Sequence, residues 1–201
     1  MARKAQATRP PLEPARIYST ALTLIGEHGV EALSMRKLAA SLGVDAMSIY
    51  HHVQNKQALL LGVYQRVLEE LPLPPAADVP WQEALRSLGQ NFYLLACRYP
   101  EVFRHLLSSP YATPREHEIY RYIRDTLRRS GLGERDRARC SRAIYTFAIG
   151  LATVAPSGLY LRPLYGEASS PGRSDLQGPT DADIDFGLEM LLAGIERRLQ
   201  G

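Results

Sequence analysis

Apolar residues recur three and four positions apart along most of this 201-residue chain, and that spacing restricts it to helices. The period places Ile17, Ala21, Leu24 and Ile25 on one face of a single helix. Alternating apolar and polar runs, which would predict strands, are scarce. Prolines and glycines divide the rest into segments of helical length. The sequence therefore predicts an all-α protein.

Capping residues set the expected bounds of the N-terminal helices. Pro14 fits the first position of a helix that runs to His28, because a proline there loses no hydrogen bond. Ser34, Asp45 and Asn55 each fit an N-cap, since their short polar side chains accept hydrogen bonds from free N–H groups. The helices expected to follow these caps are Met35–Leu42, a third through His52, and a fourth that carries Leu59, Val63, Val67 and Leu71.

Prolines and glycines also divide the C-terminal part. Four prolines between 72 and 80 leave no room for a helix, so this stretch is expected to be a linker. The helices expected beyond it cover residues 81–99 (ended by Pro100), 101–108, 114 to Gly131, 134–155 and 180–199. Residues 156–179 are rich in proline and glycine and are expected to form a long loop.

The stretch Leu33–Lys56 is the most informative part of the chain. A helix of about two turns, a turn that contains Gly43, and a second short helix make a helix-turn-helix. Its inward positions are apolar: Leu38, Ala39, Leu42, Val44, Ile49 and Val53. This pattern predicts a cohesive pair of helices, but by itself it does not establish DNA binding.

The outward residues of the second short helix carry the argument for DNA. The helical period turns Met47, Ser48 and His51 outward and leaves Ala46 near the exposed N-terminal end. A helix that enters the major groove presents its N-terminal residues to base edges. Ser48 and His51 can form hydrogen bonds there, and Met47 can pack on a thymine methyl group.

Residues able to reach phosphate groups flank that helix. They are Tyr50 and His52 at its margins, Ser34, Arg36 and Lys37 at the start of the preceding helix, and Lys56 at the start of the fourth. The free N–H groups of a helix N-terminus favour an anion. Because few of these residues are charged, we expect roughly three to six phosphate contacts per subunit. The affinity for DNA should therefore depend only moderately on salt concentration.

The segment ALSMRKLAASLGVDAMSIYHHVQNKQALL resembles the N-terminal DNA-binding domain of tetracycline-repressor (TetR) family regulators. The matching motifs are the helix and turn LSxRKLAxxLGV, the recognition helix IYHHV and the helix start NKxxLL, within residues 14–70. The resemblance implies phosphate contacts from Ser34, Tyr50, His52 and Lys56. It implies base reading by Arg36, Ala46, Met47, Ser48 and His51, with Arg36 as the candidate for a bidentate guanine contact. Ala46 and Met47 depart from some members because they offer no polar group to a base.

The same resemblance implies a homodimeric repressor that a small molecule releases from a palindromic operator in double-stranded DNA. It predicts an N-terminal three-helix helix-turn-helix domain followed by a larger α-helical domain for ligand binding and dimerisation. The expected parts are a flexible basic tail (1–13), the DNA-binding domain (14–71), a proline-rich linker (72–80) and the ligand-binding and dimerisation domain (81–201).

The last two long helices are expected to pair with a second copy in a four-helix bundle, as the resemblance implies. Small residues on helix 134–155 would permit close approach, and the final helix has a second apolar face beside its main stripe of Ile184, Leu188, Leu191, Ile195 and Leu199. Burial of this helix within one subunit is the alternative. The candidate interface residues are Ala148, Gly150, Ala152, Gly187, Met190 and Gly194.

A ligand-responsive regulator needs a cavity, and the effector is expected to be apolar or aromatic. The candidate lining residues are Trp81, Phe92, Tyr93, Phe103, His105, Tyr120, Arg124, Tyr145 and Phe147. Plain core packing is the alternative for each of them. His105 and His117 lack a supporting carboxylate motif, so we predict no metal and no cofactor.

The composition and the lack of known motifs argue against several other classes of protein. The chain is 45% hydrophobic with a net charge of +3, which argues against disorder, and its two cysteines cannot form a disulfide framework. No apolar run is long enough to span a membrane and no signal peptide is expected, so we predict a cytoplasmic protein. No catalytic motif is present, and we predict no enzyme activity. An enzyme of unknown class and a helix-turn-helix that binds protein remain the alternatives.

Charge is distributed unevenly along the chain. Residues 115–142 hold nine arginines against five acidic residues. A local excess of basic residues can form a surface that binds an anionic polymer such as DNA. For this stretch, the pattern favours an ordinary solvent-exposed face over a binding surface of that kind.

Overall fold

The computed structural model of the chain describes residues 12–73, 79–106, 112–154 and 181–200. Regular structure in these ranges is helical throughout, which confirms the predicted all-α fold. The helices are α1 (Pro14–His28), α2 (Met35–Leu42), α3 (Ala46–Tyr50), α4 (Lys56–Leu68), α5 (Trp81–Arg98), α6 (Pro100–Leu106), α7 (Pro114–Arg129), α8 (Glu134–Val154) and α9 (Asp181–Leu199).

Most helix bounds agree with the sequence pattern. Helices α1 and α2 begin and end as predicted, whereas α3 ends at Tyr50 and not at His52. Pro100 was expected only to end α5, but it is the first residue of α6. A proline is tolerated there because the N–H groups of a first helical turn have no partner in the helix.

Several predicted segments lie outside the described residues. They are the loop at 156–179, residues 1–11 of the basic tail, residues 74–78 of the linker, and Thr180.

The chain divides into two compact units, Met1–Arg66 and Val67–Gly201. The division falls inside α4, a few residues before the predicted end of the N-terminal domain at residue 71. The assignment of a separate function to each part stays a prediction at this point.

In the N-terminal unit, α2 packs against both α1 and α3. Its core includes Ile17, Leu38 and Ile49, each fully buried. Burying such a side chain contributes about 1.5–3 kcal/mol relative to leaving it exposed. The ring of Tyr18 lies so close to Gly62 that a Cβ atom there would be 2.1 Å from Cε1 of the ring. Glycine is therefore required for this approach of α1 to α4.

In the C-terminal unit, α5 contacts α7, α8 and α9. Polar side chains link α5 to α9: Gln82 donates to Glu196 at 2.8 Å, and Gln90 donates to Asp185. The predicted stripe of α9 is wrong at two positions. Leu192 is buried in place of Leu191, which is only half-buried, and Leu199 is 36% exposed.

Within the C-terminal unit, side chains bind the last residue of α4 and the segment that directly follows it. Arg115, at the start of α7, donates from Nε to the Leu68 carbonyl oxygen at 3.3 Å and from Nη2 to the Leu71 carbonyl oxygen at 2.7 Å. The Tyr99 hydroxyl donates to the Glu70 carboxylate at 3.0 Å. The two bonds from Arg115 give the Leu71 carbonyl oxygen a donor and give the Leu68 carbonyl oxygen a second donor beside the Leu71 N–H, which bonds to it at 3.1 Å.

Candidate nucleic-acid interface

Local hydrogen bonds build the first half of the helix-turn-helix. The Ser34 hydroxyl oxygen accepts from the Lys37 N–H at 3.2 Å, as expected of an N-cap. Gly43 ends α2 in the left-handed conformation, with φ 67° and ψ 34°. The Val44 N–H then bonds to the Ala39 carbonyl oxygen at 3.0 Å, which closes the turn. The turn is therefore fixed by backbone geometry that glycine adopts without strain.

Helix α3 follows directly and is fixed in the same way. The Asp45 carboxylate accepts from the Met47 N–H at 2.8 Å, and the Ile49 side chain is fully buried. The helix gives way to a turn after Tyr50, where the His52 N–H bonds to the carbonyl oxygen of Ile49, three residues back, at 2.9 Å. This change of bonding pattern explains why the helix is shorter than predicted.

The predicted base-reading residues of α3 lie at the surface. Met47 is 64% exposed, although apolar side chains of its size are usually buried. His51 is also exposed, and Ala46 and Ser48 are half-buried. Burial of Ile49 holds the helix in place while its other faces remain open. The arrangement presents a hydroxyl, an imidazole and a thioether together on one short helix.

The predicted phosphate-contacting residues surround α3 in sequence. Tyr50 is 43% exposed and His52 is exposed. Lys56 is half-buried at the start of α4, one residue after Asn55, whose side chain accepts from the Ala58 N–H at 2.8 Å. In the first turn of α2, the exposed side chains are those of Ser34, Arg36 and Lys37.

In the C-terminal unit, the predicted lining residues fall into separate groups. Tyr93 and Phe147 belong to a core cluster with Ile184 and Leu188. Phe92 and Phe103 are buried and meet edge to face, with ring centroids 5.4 Å apart. Both groups are closely packed core in this structure.

A third group joins α7 to α8. Tyr120 and Tyr145 meet edge to face, with centroids 6.1 Å apart, and the Tyr145 hydroxyl donates to the Glu116 carboxylate. Burial, and then this bond to a carboxylate, raise the pKa of Tyr145 well above its usual range. Glu116 also completes a capping box with Thr113 at the start of α7. The tyrosine is thereby kept neutral and anchored to the helix terminus.

The remaining predicted lining residues are more open. Trp81 is half-buried at the first position of α5, and His105 is exposed on α6. Arg124 is exposed and pairs with Glu134 at 3.2 Å. Arg124 also lines a cleft of about 250 Å³ together with Arg121, Asp125, Arg128 and Arg137. Our sequence reasoning missed these other four residues as a site, although the excess of arginine in residues 115–142 was a signal.

The predicted interface residues on α8 and α9 are unevenly exposed. Met190 is 62% exposed, Gly150 and Gly194 are exposed, and Ala148 is half-buried. Ala152 is 2% exposed and faces the inside of the chain, so its selection as an interface residue is wrong.

Two further residues of α9 change the expected interface. A Cβ atom at Gly187 would lie 2.7 Å from the Phe147 ring, so this glycine makes room for packing within the chain. Phe186 was missed by sequence reasoning, yet it is 65% exposed. Its position beside the main apolar stripe was the signal that could have identified it.

Two features are absent from the described part of the chain. No helix there is long and apolar enough to cross a bilayer. Nor do three or more histidine, cysteine, aspartate or glutamate side chains come together there as they would around a metal ion.

Comparisons with known proteins place these features in context. Residues 17–63 match the family model described as bacterial regulatory proteins, tetR family. The chain is 29% identical to the tetracycline repressor protein class D of Escherichia coli over 197 residues, which cover 92% of this chain and 86% of that protein.

Solved structures are similar along nearly the whole chain. Apo ActR from Streptomyces coelicolor is similar with a TM-score of 0.76 and 27% identity, covering 96% of this chain and 99% of that one. The complex of ActR with (S)-DNPA is similar with a TM-score of 0.72 and 25% identity, covering 92% of this chain and 98% of that one.

Proposed function

Because the chain is a TetR-family DNA-binding transcriptional regulator, we propose that it acts as a homodimeric repressor that leaves a palindromic operator when a small molecule binds. The observation that carries this proposal is the short helix α3, capped by Asp45 and anchored by the buried Ile49, with Met47 exposed. We place its action in the cytoplasm, where it meets double-stranded DNA. We propose no catalytic activity, since the relatives compared with it are regulators.

Base reading combines few polar groups with apolar contact. Arg36 donates in bidentate fashion to guanine, and Ser48 and His51 form hydrogen bonds with base edges. Ala46 and Met47 read thymine methyl groups by apolar contact. The 64% exposure of Met47 supports this role, because an exposed thioether gains burial when it enters the groove.

Phosphate contacts set the register of α3 on the duplex. The Ser34 hydroxyl, Lys37 and the N-terminal N–H groups of α2 bind one phosphate region. The second group consists of Tyr50, His52 and Lys56. Their exposed or half-buried positions leave these side chains within reach of a polyanion.

Dimerisation joins α8 and α9 to the same helices of a second copy. Phe186 and Met190 are 65% and 62% exposed, and they lie four residues apart on one face of α9. Among the described residues, no atom lies within 4 Å of a Cβ built at Gly150 or at Gly194, so each leaves surface where another helix can approach. Exposed apolar residues of this kind indicate a contact surface. Ala148 lies at its edge.

The effector is an apolar or aromatic molecule bound among the aromatic side chains of the C-terminal unit. One relative, ActR, has been solved in complex with (S)-DNPA. The proposed lining residues are Trp81, Phe92, Tyr93, Phe103, His105, Tyr120, Arg124, Tyr145 and Phe147. Since several of these rings pack against one another, ligand entry separates rings that are in contact in this structure.

Release follows from a shift between two states of the dimer. Two recognition helices bind one face of DNA when their separation matches one helical turn, about 34–36 Å. A ligand that prefers a state with a different separation weakens operator binding by its difference in affinity for the two states. Two structures, with and without inducer, that have the same separation would contradict this mechanism.

Operator binding tests the role of the helix-turn-helix. Random-sequence selection with the purified protein first supplies a bound palindromic fragment. Arg36→Ala is expected to lose about 1–3 kcal/mol of binding free energy, because a bidentate base contact disappears. Tyr50→Ala is expected to lose affinity for all sequences alike, because its partner is phosphate. Fluorescence anisotropy over a range of salt concentrations measures both effects.

Arg129→Ala is the charge-matched control, since Arg129 is exposed at the end of α7 and has no proposed role in DNA binding. Far-UV circular dichroism establishes that each variant is folded. Unchanged affinity in both Arg36→Ala and Tyr50→Ala would remove the helix-turn-helix from the mechanism.

A charge on the exposed face of α9 tests the dimer. Phe186→Asp is expected to convert the dimer to a folded monomer, because an unpaired carboxylate is costly to bury in an apolar interface. Sedimentation equilibrium measures the change. Arg198→Gln, an exposed position on the same helix, is expected to leave the dimer intact. A dimer that survives Phe186→Asp would place the interface elsewhere.

A further inference from the structure

An arginine-lined cleft in the C-terminal unit has no part in the function proposed above beyond the single residue Arg124. Its volume is about 250 Å³, and its lining residues are Arg121, Arg124, Asp125 and Arg128 of α7 and Arg137 of α8. Four arginine side chains and one aspartate side chain therefore line one small space. Such a concentration of like charge is unfavourable unless an anion compensates it.

Ion pairs hold most of these guanidinium groups in place without neutralising them. Glu134 binds both Arg124, at 3.2 Å, and Arg137, while Asp125 binds Arg128 at 3.2 Å. Two carboxylates thus serve four arginines, and the cleft keeps an excess of positive charge. The Arg137 side chain is 15% exposed, so this part of the cleft is shielded from water.

Arg121 supplies a cation that is available to a ligand. It is exposed on α7, and in the part of the chain described by the structure it takes part in no hydrogen bond or ion pair. Arg121, Arg124 and Arg128 follow one another at intervals of three and four residues, which places them along one side of the helix. The three side chains therefore lie beside the same cleft.

The size and charge of the cleft define the ligand class. Pockets for drug-sized molecules occupy roughly 300–1,000 Å³, so this cleft suits a smaller molecule. Guanidinium groups match the oxygens of phosphate in bidentate geometry. We propose that the cleft binds a small molecule bearing a diphosphate or two neighbouring phosphate groups, with Arg121, Arg124, Arg128 and Arg137 as donors.

This proposal is independent of operator binding, and it shares only Arg124 with the site proposed for the aromatic effector. An apolar ligand would leave the excess positive charge of the cleft without a compensating anion. The chemistry of the cleft therefore indicates a second ligand class, distinct from the aromatic molecule proposed for the core.

Isothermal titration of pyrophosphate into the full chain, at fixed ionic strength, tests the proposal. Saturable binding of one pyrophosphate per chain is expected. Arg121→Ala is expected to weaken it by about tenfold or more, the effect of losing a charge-assisted hydrogen bond. Because Arg121 is exposed and has no intramolecular partner in the described residues, its removal leaves the helices intact.

Arg142→Ala is the matched control, since it removes an equal charge from an exposed position of α8 that does not line the cleft. Its pyrophosphate affinity is expected to equal that of the unaltered protein. Absence of saturable binding, or equal losses in Arg121→Ala and Arg142→Ala, would overturn the proposal.

Two further experiments identify the class of ligand. Sulfate at the same ionic strength is expected to bind more weakly, because it offers fewer oxygens to the four arginines. Equal affinities for sulfate and pyrophosphate would indicate general charge screening and would overturn the proposal. Displacement of pyrophosphate by operator DNA, together with weaker DNA binding by Arg121→Ala, would assign the cleft to DNA phosphates instead and would also overturn it.

Discussion

The two compact units of this protein use polar side chains differently. In the N-terminal unit, the side chains of Ser34, Asp45 and Asn55 bond to backbone N–H groups two or three residues away. In the C-terminal unit, polar side chains connect different helices, as Tyr145 does with Glu116 and Gln82 does with Glu196. Short-range caps predominate in the first unit, although Arg16 also donates to the Leu42 carbonyl oxygen at 3.3 Å. The second unit has a capping box at Thr113 and adds polar bonds between its helices.

The difference matters for recognition. Where caps and apolar packing supply the stability, surface side chains can change with little effect on the fold. The exposed residues of α3 can then be selected for DNA sequence alone. Where polar side chains bridge helices, a surface substitution also alters how those helices pack. We therefore expect substitutions to separate binding from stability in the N-terminal unit more cleanly than in the C-terminal unit.

The largest expected effect separates core from surface within α3. Ile49→Ala is expected to cost about 2–5 kcal/mol of unfolding free energy, because it leaves a cavity under the recognition helix. Met47→Ala removes a side chain that is 64% exposed and is expected to change stability by less than about 0.5 kcal/mol while weakening operator binding. Urea unfolding followed by circular dichroism measures the stability. Equal destabilisation by the two variants would contradict the view that surface residues of the N-terminal unit can change without affecting its stability.

The next effect concerns a bridging arginine. Arg115→Ala is expected to cost about 1–3 kcal/mol of unfolding free energy, because the Leu71 carbonyl oxygen loses its side-chain donor and the Leu68 carbonyl oxygen keeps only the Leu71 N–H. Arg104→Ala is a matched control, since Arg104 forms an exposed ion pair with Glu101 at 2.8 Å and is expected to matter little. If both variants unfold at the same urea concentration, the hydrogen bonds from Arg115 to Leu68 and Leu71 do not contribute to stability.

The smallest effect is a pH dependence. The pKa of Tyr145 is raised in the folded chain by burial and by its bond to Glu116. Its contribution to stability is therefore complete below the unfolded-state pKa of about 10 and is lost as pH rises above it, by at most about 1.4 kcal/mol per pH unit. The Tyr145→Phe variant is expected to lose less unfolding free energy at alkaline pH, because it lacks this ionisable group. Unfolding free energies compared across alkaline pH measure it, and parallel curves for the two proteins would contradict it.

Much of the N-terminal unit could be predicted because its signals are local. A cap or a turn glycine acts on neighbours a few residues away, so Ser34, Gly43 and Asp45 could be assigned from sequence alone. The end of α3 was harder to predict, because an α-helical turn and a tighter turn differ here only in whether the His52 N–H bonds four or three residues back. The helical period then sufficed to place Met47 and Ile49 on opposite sides.

The C-terminal unit was less predictable because its features depend on which helices become neighbours. The arginine cleft requires Arg137 of α8 to meet α7, and no local pattern determines that encounter. Ala152 was misplaced for the same reason, since small size is equally compatible with an interface and a packed interior. Leu191 and Leu192 are adjacent in sequence, and the helical period alone could not decide which one is buried.

The cap at Ser34 has a consequence for the energetics of binding. Its oxygen already accepts from the Lys37 N–H, while the hydroxyl hydrogen stays available to a phosphate. Contact with the DNA backbone therefore completes the bonding of this residue without breaking any bond that it has. The side chain is preorganised, and little rotational freedom remains for it to lose when the duplex arrives.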